Sequence, residues 1–393
     1  MNTKFYREVA MGLFVFSLAA PSFAGITFGD PKTDTGALTV SATLRAKYNY
    51  KDYGKDIDPD NSIKFDAAIL NFGYESPKFF GSAQWRCYQW LDLCDFSTLV
   101  SAYAGYRLNE TDNITLGLQP VPFGPGRFWD SSFYAGMNYT LGLQDTLNLG
   151  VNYHAELSSG TKFDLAYFAR DGGSYTGTAD NDTARYSANA VKTDDPTMTS
   201  LKEKNMFVAR VIQDLDFINN DDLKMAVGGS YWYSSIDNKH NNNNDGSRKA
   251  WSLFNMINYQ NLGITLTGGQ LEIDNKDPIS NYSTFGSFDT EYNIANKGLF
   301  YSVDVNYAFK NVRDNLNITP YLVLSGFNKD QKGYKDSQRN IIGAAWNYKN
   351  IAVYTEYVMS KNDVFIGGNA DSFAAGDDNK WNKLANVIFT YTF

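Results

Sequence analysis

The feature that most constrains the fold of this chain is an alternation of apolar and polar side chains with a period of two. Residues 37–50, ALTVSATLRAKYNY, show this alternation over their whole length, with apolar or aromatic residues at every even position. Successive side chains of a β-strand point to opposite faces. The segment is therefore predicted to be a strand with one apolar and one polar face.

The same alternation recurs along the chain and defines sixteen predicted strands. Their predicted spans are 37–50, 62–75, 79–90, 98–108, 113–119, 147–157, 161–170, 205–213, 223–234, 251–259, 263–272, 298–309, 316–327, 340–348, 351–360 and 383–393. No helical periodicity of useful length interrupts the series, which excludes a parallel α/β architecture.

The connections between these strands alternate in length. Short ones are predicted at 110–112, 158–160, 260–262 and 349–350, and long polar ones at 120–146, 171–204, 235–250, 273–297, 328–339 and 361–382. This arrangement is typical of a transmembrane β-barrel with short periplasmic turns and long extracellular loops. We therefore expect an all-β, 16-stranded antiparallel barrel whose apolar face meets lipid and whose polar face meets a water-filled lumen.

The N-terminus indicates export. Lys4 and Arg7 precede the apolar stretch 11–20, and Ser22-Phe23-Ala24 fits a signal-peptidase site. We predict a cleaved signal peptide over residues 1–24 and a barrel over 25–393. After residue 24 the sequence has no run of 18 apolar residues, so no transmembrane helix is expected.

Cys87 and Cys94 are the two cysteines of the chain. An exported protein can oxidise such a pair, and their spacing suits a disulfide across a tight hairpin tip. Two free thiols are the alternative.

The last residues, VIFTYTF, resemble the final strand of Gram-negative outer-membrane proteins, which ends in a Phe that the assembly machinery reads; here it is Phe393. Residues 117–127, GLQPVPFGPGR, are similar to a porin's fifth strand entering an inward-folded third loop, most of all in the phosphate-selective porin O and P group. The resemblance implies a trimeric porin in the bacterial outer membrane, surrounded by lipid and lipopolysaccharide. Only Asp130 and Asp145 are acidic within 121–146, unlike the acidic third loop of general porins.

Strand parity predicts which charged side chains face the lumen. The basic ones are Arg45, Lys47, Arg86, Arg107, Lys162, Arg170, Arg210 and Lys224, and the acidic ones are Asp66, Glu156, Asp164, Asp304 and Glu356. Rings of Arg and Lys favour anions because low-dielectric walls focus their field. Arg45, Arg86 and Arg107 are the best candidates for a constriction wall. The alternative is that these charges pair laterally and only solvate the lumen.

The third loop offers a second wall. Arg127, Trp129 and Asp130 are predicted to face the basic strands across the constriction, with plain packing of the loop as the alternative. Four aromatic residues of this loop suggest a slide for sugars or aromatic carboxylates. They are Phe128, Trp129, Phe133 and Tyr134.

Other functional classes receive less support. The formal charge of −8 argues against nucleic acid as a partner. His154 and His240 are the only histidines, and neither completes a catalytic pattern, so no enzyme activity, metal or cofactor is expected. The sequence therefore predicts a passive porin for small hydrophilic solutes with a preference for anions. A channel selective for sugars or aromatic carboxylates is the alternative, and a surface adhesin or structural barrel comes after it.

Overall fold

The structure is a computed structural model that describes residues 25–54, 63–89, 92–173, 185–278, 281–288 and 290–393. The predicted signal peptide lies outside the described residues. The elements in chain order are β1 (Ile26–Gly29), β2 (Ala37–Lys51), β3 (Ile63–Glu75), β4 (Phe79–Tyr88), β5 (Phe96–Arg107), β6 (Asn113–Pro120), α1 (Met137–Thr140), β7 (Leu147–Glu156), β8 (Thr161–Asp171), β9 (Asn189–Ala190), β10 (Leu201–Asp214), β11 (Leu223–Asn238), β12 (Asn243–Tyr259), β13 (Leu262–Asp274), β14 (Tyr282–Ser287), β15 (Thr290–Ala295), β16 (Lys297–Tyr307), β17 (Phe309–Arg313), β18 (Leu316–Lys329), β19 (Ser337–Tyr348), β20 (Ile351–Lys361) and β21 (Asn382–Thr392).

Sixteen of these strands form one closed antiparallel barrel, which confirms the predicted fold class. The barrel closes between β2 and β21, where Arg45 lies opposite Thr390 and Ala46 opposite Phe389. The backbone of Phe393 continues this seam through two hydrogen bonds of 2.9 Å with Ala42. Closure satisfies the edge strands, which an open sheet of this size would leave exposed.

The outer face of the barrel is apolar, as the alternation predicts. Leu44 on β2, Leu253 on β12 and Ile342 on β19 are among its exposed side chains, and Leu253 is 65% exposed. No helix among the described residues is both long enough and apolar enough to cross a membrane.

The inner face is less polar than predicted. Trp232, Phe300 and Phe327 point inward and are almost completely buried. They pack against the connection between β6 and β7, residues 121–146, which folds into the barrel and which we call loop 3. The inner face of this half of the barrel therefore acts as a core for loop 3 as well as a wall of the lumen.

The predicted long connection 235–250 differs in the structure. The segment 235–250 is a continuous hairpin, because β11 and β12 stay paired from Leu223↔Tyr259 up to Asn238↔Asn243. At the other end of the barrel, residues 215–222 connect β10 and β11, close to the interval 214–222 between the predicted strands. The two ends are called the loop side and the turn side below, and loop 3 lies at the loop side.

Loops at the loop side build a small additional sheet. The hairpin β14–β15 belongs to the connection between β13 and β16, and β14 also pairs with β9, where Phe285 lies opposite Ala190. Backbone hydrogen bonds of 2.8–2.9 Å join β15 to Ala370 and Phe373 in the connection 362–381. We call this three-stranded sheet the cap.

A disulfide links Cys87 at the end of β4 to Cys94, with a Cα–Cα distance of 4.9 Å. The bond spans the connection between β4 and β5, the hairpin tip predicted from the spacing of the two cysteines.

Candidate functional site

Loop 3 is anchored in the lumen by buried aromatic side chains. Phe123 and Trp129 are almost completely inaccessible to solvent, and their rings lie 5.9 and 6.0 Å from those of Trp232 and Phe300 on the wall. The Trp129 indole N–H donates to the carbonyl oxygen of Gly126 at 3.1 Å. Trp129 therefore packs the loop against the wall and does not line an aqueous path, which corrects its predicted role.

Carboxylates of the wall bind backbone N–H groups of loop 3. Asp304 on β16 accepts from the Ser131 N–H at 2.8 Å, and Glu356 on β20 accepts from the Phe133 N–H at 2.7 Å. Asp130 also turns inward on its own loop, where it accepts from the N–H of Gly136 at 3.0 Å and is 4% exposed. The prediction that Asp130 lines the pore is therefore wrong, because its charge serves the turn of the loop.

Two wall arginines bind backbone carbonyls of loop 3. Arg248 on β12 donates to Leu141 and Gly142 at 2.9 Å, and Arg339 on β19 donates to Ala135 at 3.1 Å. The sequence prediction missed both arginines because its strands began at 251 and 340. The alternation continues upstream of each predicted start, so longer strands would have revealed them.

Arg45 and Lys47 share one carboxylate. Asp66 on β3 lies 2.5 Å from an Arg45 nitrogen and 3.1 Å from the Lys47 ammonium nitrogen. The Arg45 guanidinium also lies 5.0 Å from the ring of Phe133, so the basic strand β2 does contact loop 3. The formal charges of Arg45, Lys47 and Asp66 alone sum to one positive charge.

Arg86 has no carboxylate in ion-pair contact among the described residues; its Nη1 donates instead to the hydroxyls of Tyr88 at 3.2 Å and Tyr186 at 3.3 Å. Arg127 on loop 3 pairs with Asp145, which also accepts from the hydroxyl of Tyr186. Burial raises the pKa of Tyr186, so this hydroxyl stays protonated and donates. Sequence reasoning gave no signal for Tyr186, because it lies in an irregular connection.

The remaining inward charges pair laterally near the turn side. Arg210 donates twice to Asp164, at 2.8 and 2.9 Å, and His154 contacts the same carboxylate at 2.9 Å. Lys162 lies between Asp214 at 3.2 Å and Glu156 at 3.8 Å. These contacts follow the alternative interpretation, in which lumen charges neutralise one another.

Two of the predicted basic residues lie at the turn side, away from loop 3. Arg107 pairs with Glu75 and donates to the Ser76 carbonyl at 2.7 Å, which places it at the turn-side rim, away from Arg45 and Arg86. Lys224 is exposed at the turn-side end of β11. Arg107 therefore does not belong to the predicted constriction wall.

Arg170 lies on the outer face, so the prediction that it lines the pore is wrong. The register between β7 and β8 shifts at Gly150, which pairs with Phe168, while Leu149 pairs with Arg170. One extra residue, Ala169, is inserted on β8. A bulge reverses the parity of every residue beyond it.

The predicted aromatic slide is also incomplete. Trp129 is buried, and Tyr134 packs into a cluster with Tyr321 and Val323. The ring of Phe133 lies 5.3 Å from that of Tyr354, tilted by 46°. Phe128 is the exposed one of the four, at 48%. Most of these rings hold loop 3 in place.

A solvent-open polar hollow reaches the turn side of loop 3. It is lined by Ser131 of the loop and by wall residues that include Asn258, Asn306 and Thr319. Polar side chains therefore line the space on the turn side of loop 3, whereas aromatic packing fills the other side of the loop.

The geometry defines a closed sixteen-stranded barrel with a loop folded into its lumen, and solved structures share that fold. No protein-family model and no curated protein matches the chain. The outer membrane channel DcaP of Acinetobacter baumannii is similar at a TM-score of 0.57 and 13% identity, over 92% of this chain and 99% of that one. OmpF of Salmonella typhi, in complex with daunomycin, gives 0.57 and 13% over 94% and 100%. OmpT, an outer membrane protein of Vibrio cholerae, gives 0.53 and 14% over 92% and 99%. At these identities the likeness shows the fold alone.

Proposed function

We propose that this protein is a bacterial outer-membrane porin through which small hydrophilic solutes diffuse passively, with a preference for anions. The observation that carries the proposal is a closed barrel with an apolar outer face and a charged loop folded across its lumen. Barrels of sixteen strands are wide enough for an aqueous channel.

The preference for anions rests on the charges beside loop 3. Among the described residues, the carboxylates of Asp66 and Asp145 pair with Arg45, Lys47 and Arg127, whereas Arg86 forms no ion pair there. Fixed positive charges in a low-dielectric constriction raise the local concentration of anions. The sequence likeness of residues 117–127 to the phosphate-selective porin O and P group makes phosphate one anion to test.

The proposal includes the cellular context. We infer that the signal peptide 1–24 directs export, that Phe393 serves as the assembly signal, and that three copies associate in a membrane of lipid and lipopolysaccharide. The exposed apolar outer face supports a lipid surrounding. No enzyme activity and no cofactor enters this proposal.

The test is the reversal potential of the purified barrel in a planar bilayer under a KCl gradient. We expect anion selectivity that falls towards zero in Arg45→Gln and Arg86→Gln, while Arg170→Gln on the outer face leaves the reversal potential unchanged. Cation selectivity would remove the preference for anions and keep the channel. Folded protein that gives no current would overturn the porin proposal.

A further inference from the structure

The hairpin β14–β15 spans the mouth of the barrel. It leaves the wall between β13 and β16, which lie opposite β4 and β5 in the circular strand order. Phe288, at the tip of the hairpin, nevertheless contacts Tyr88 on β4 and Phe96 on β5. The hairpin therefore crosses the full width of the lumen at the loop side.

The side chain of Phe288 packs against four aromatic rings. Its ring centroid lies 5.6 Å from those of Tyr88 and Tyr186, 6.0 Å from Tyr139 and 6.1 Å from Phe96. Three of these contacts are edge-to-face, the arrangement that aromatic rings favour. We call these four residues the aromatic box; they come from β4, β5, loop 3 and the connection between β8 and β10.

The backbone of Phe288 is held in an unfavourable conformation. Its φ of 47° lies in the left-handed region, which bulky residues rarely adopt. The N–H of Phe288 donates to the Arg185 carbonyl at 2.9 Å, and the Ser287 hydroxyl donates to the Tyr186 carbonyl at 3.1 Å. The aromatic box and these hydrogen bonds thus keep Phe288 docked, although its backbone conformation is unfavourable.

A cation lies beside the box. The Arg86 guanidinium is 4.8 Å from the ring of Tyr186 and donates to the hydroxyls of Tyr88 and Tyr186, two members of the box. No carboxylate among the described residues forms an ion pair with it. A ring that replaced Phe288 could therefore place an attached negative charge near Arg86.

We propose that the aromatic box is a binding site for a small aromatic carboxylate, and that Phe288 occupies this site in the closed channel. A ligand that enters the box displaces Phe288 and releases the hairpin from the mouth. The inference rests on the proposed channel function and deepens it, because it names the class of solute and the means of opening.

Binding is tested first, by isothermal titration calorimetry of the detergent-folded barrel with benzoate. Removing the internal competitor raises apparent affinity, so we expect Phe288→Ala to bind benzoate at least about tenfold more tightly than the natural chain. Phe217→Ala, at an exposed turn-side phenylalanine, is the matched control and leaves affinity unchanged. Phe288→Leu, which keeps an apolar tip without the ring, is expected to lie between the two.

Two further probes test the chemistry of the box. Adding Arg86→Gln to Phe288→Ala removes the gain for benzoate, and benzyl alcohol, which lacks the charge, binds more weakly than benzoate to Phe288→Ala. Equal benzoate affinity in Phe288→Ala and the natural chain would overturn the site and leave Phe288 as packing alone. Equal binding of acetate and benzoate would overturn the aromatic class of ligand.

Bilayer recordings separate this inference from the proposed function. We expect Phe288→Ala to carry a larger mean current than the natural chain, and benzoate to increase the current of the natural chain. Current that is unaffected by both changes would overturn the gate and keep the channel. Benzoate binding as predicted in a barrel that carries no current would instead overturn the channel and keep the site.

Discussion

Arg248 and Arg339 fix loop 3 by donating to its backbone carbonyls from inside the barrel wall. Each is buried and paired with one carboxylate, Glu203 for Arg248 and Asp363 for Arg339. A buried ion pair costs desolvation energy, which good hydrogen-bond geometry only offsets. These pairs therefore matter most for holding loop 3 in one position, and removing one partner leaves an uncompensated charge.

Arg339→Leu is predicted to destabilise the folded barrel by about 3–5 kcal/mol, because Asp363 would remain buried without its partner. The exposed pair Arg313–Asp314 offers a matched control, with both side chains more than 80% exposed. Arg313→Leu should change stability by about 1 kcal/mol at most. Urea unfolding of both variants in detergent measures the difference, and equal losses would contradict the role assigned to the buried pair.

Secondary-structure elements were the most predictable level of this molecule. Period-two alternation located all sixteen barrel strands, because each has an apolar outer face and an inner face towards the lumen. It could not reveal the bulge at Ala169, since an inserted residue leaves no mark in composition, and Arg170 was consequently assigned to the wrong face. Loop 3 was expected inside the barrel by resemblance, but its anchors on Arg248 and Arg339 depend on strand ends that the pattern underestimated.

The shape of loop 3 depends on a glycine at its start. Gly124 has a φ of 73°, and a Cβ built on it would lie 2.4 Å from the ring of Trp129. Gly333 has a similar φ of 87° but open space around its Cβ position. Both glycines therefore adopt a left-handed backbone, but only the Cβ position of Gly124 lies against another side chain, that of Trp129.

Gly124→Ala is predicted to destabilise the barrel by about 1–3 kcal/mol more than Gly333→Ala, because only the first forces Trp129 out of place. Both variants carry the penalty of a left-handed backbone, about 1–2 kcal/mol. Urea unfolding gives the energies, and tryptophan emission should shift to longer wavelength in Gly124→Ala alone. The same emission and the same loss in both variants would show that Trp129 does not anchor loop 3.

At the scale of the whole molecule, the two ends of the barrel differ in kind. On the turn side of loop 3, polar residues line a solvent-accessible hollow. The loop side is covered by the cap. The cap is joined to loop 3 by the Tyr292 hydroxyl, which donates to the Thr140 carbonyl at 2.9 Å. A solute entering from the loop side would meet the cap first. A change in the docking of the cap should therefore change the current through the proposed channel.

The cap contains a carboxyl group that links its docking to pH. Glu291 on β15 accepts from the Thr193 hydroxyl at 3.4 Å. Burial raises the pKa of Glu291 above its usual value; the hydrogen bond from Thr193 opposes this rise, and the nearby carboxylate of Asp195 adds to it. The folded cap therefore binds a proton more tightly than the unfolded loop does.

This raised pKa sets the sign of the pH dependence. The contribution of Glu291 to docking is fully present below the usual pKa of a glutamate and is lost as pH rises through the raised value. We expect the natural chain to carry less mean current at pH 4.5 than at pH 7.5, relative to Glu291→Gln, which cannot titrate. Glu110→Gln at an exposed turn removes a carboxylate outside the cap and should keep the natural response. Because the lumen charges are the same in every variant, an identical pH response in Glu291→Gln and the natural chain would show that this carboxyl does not control the docking of the cap.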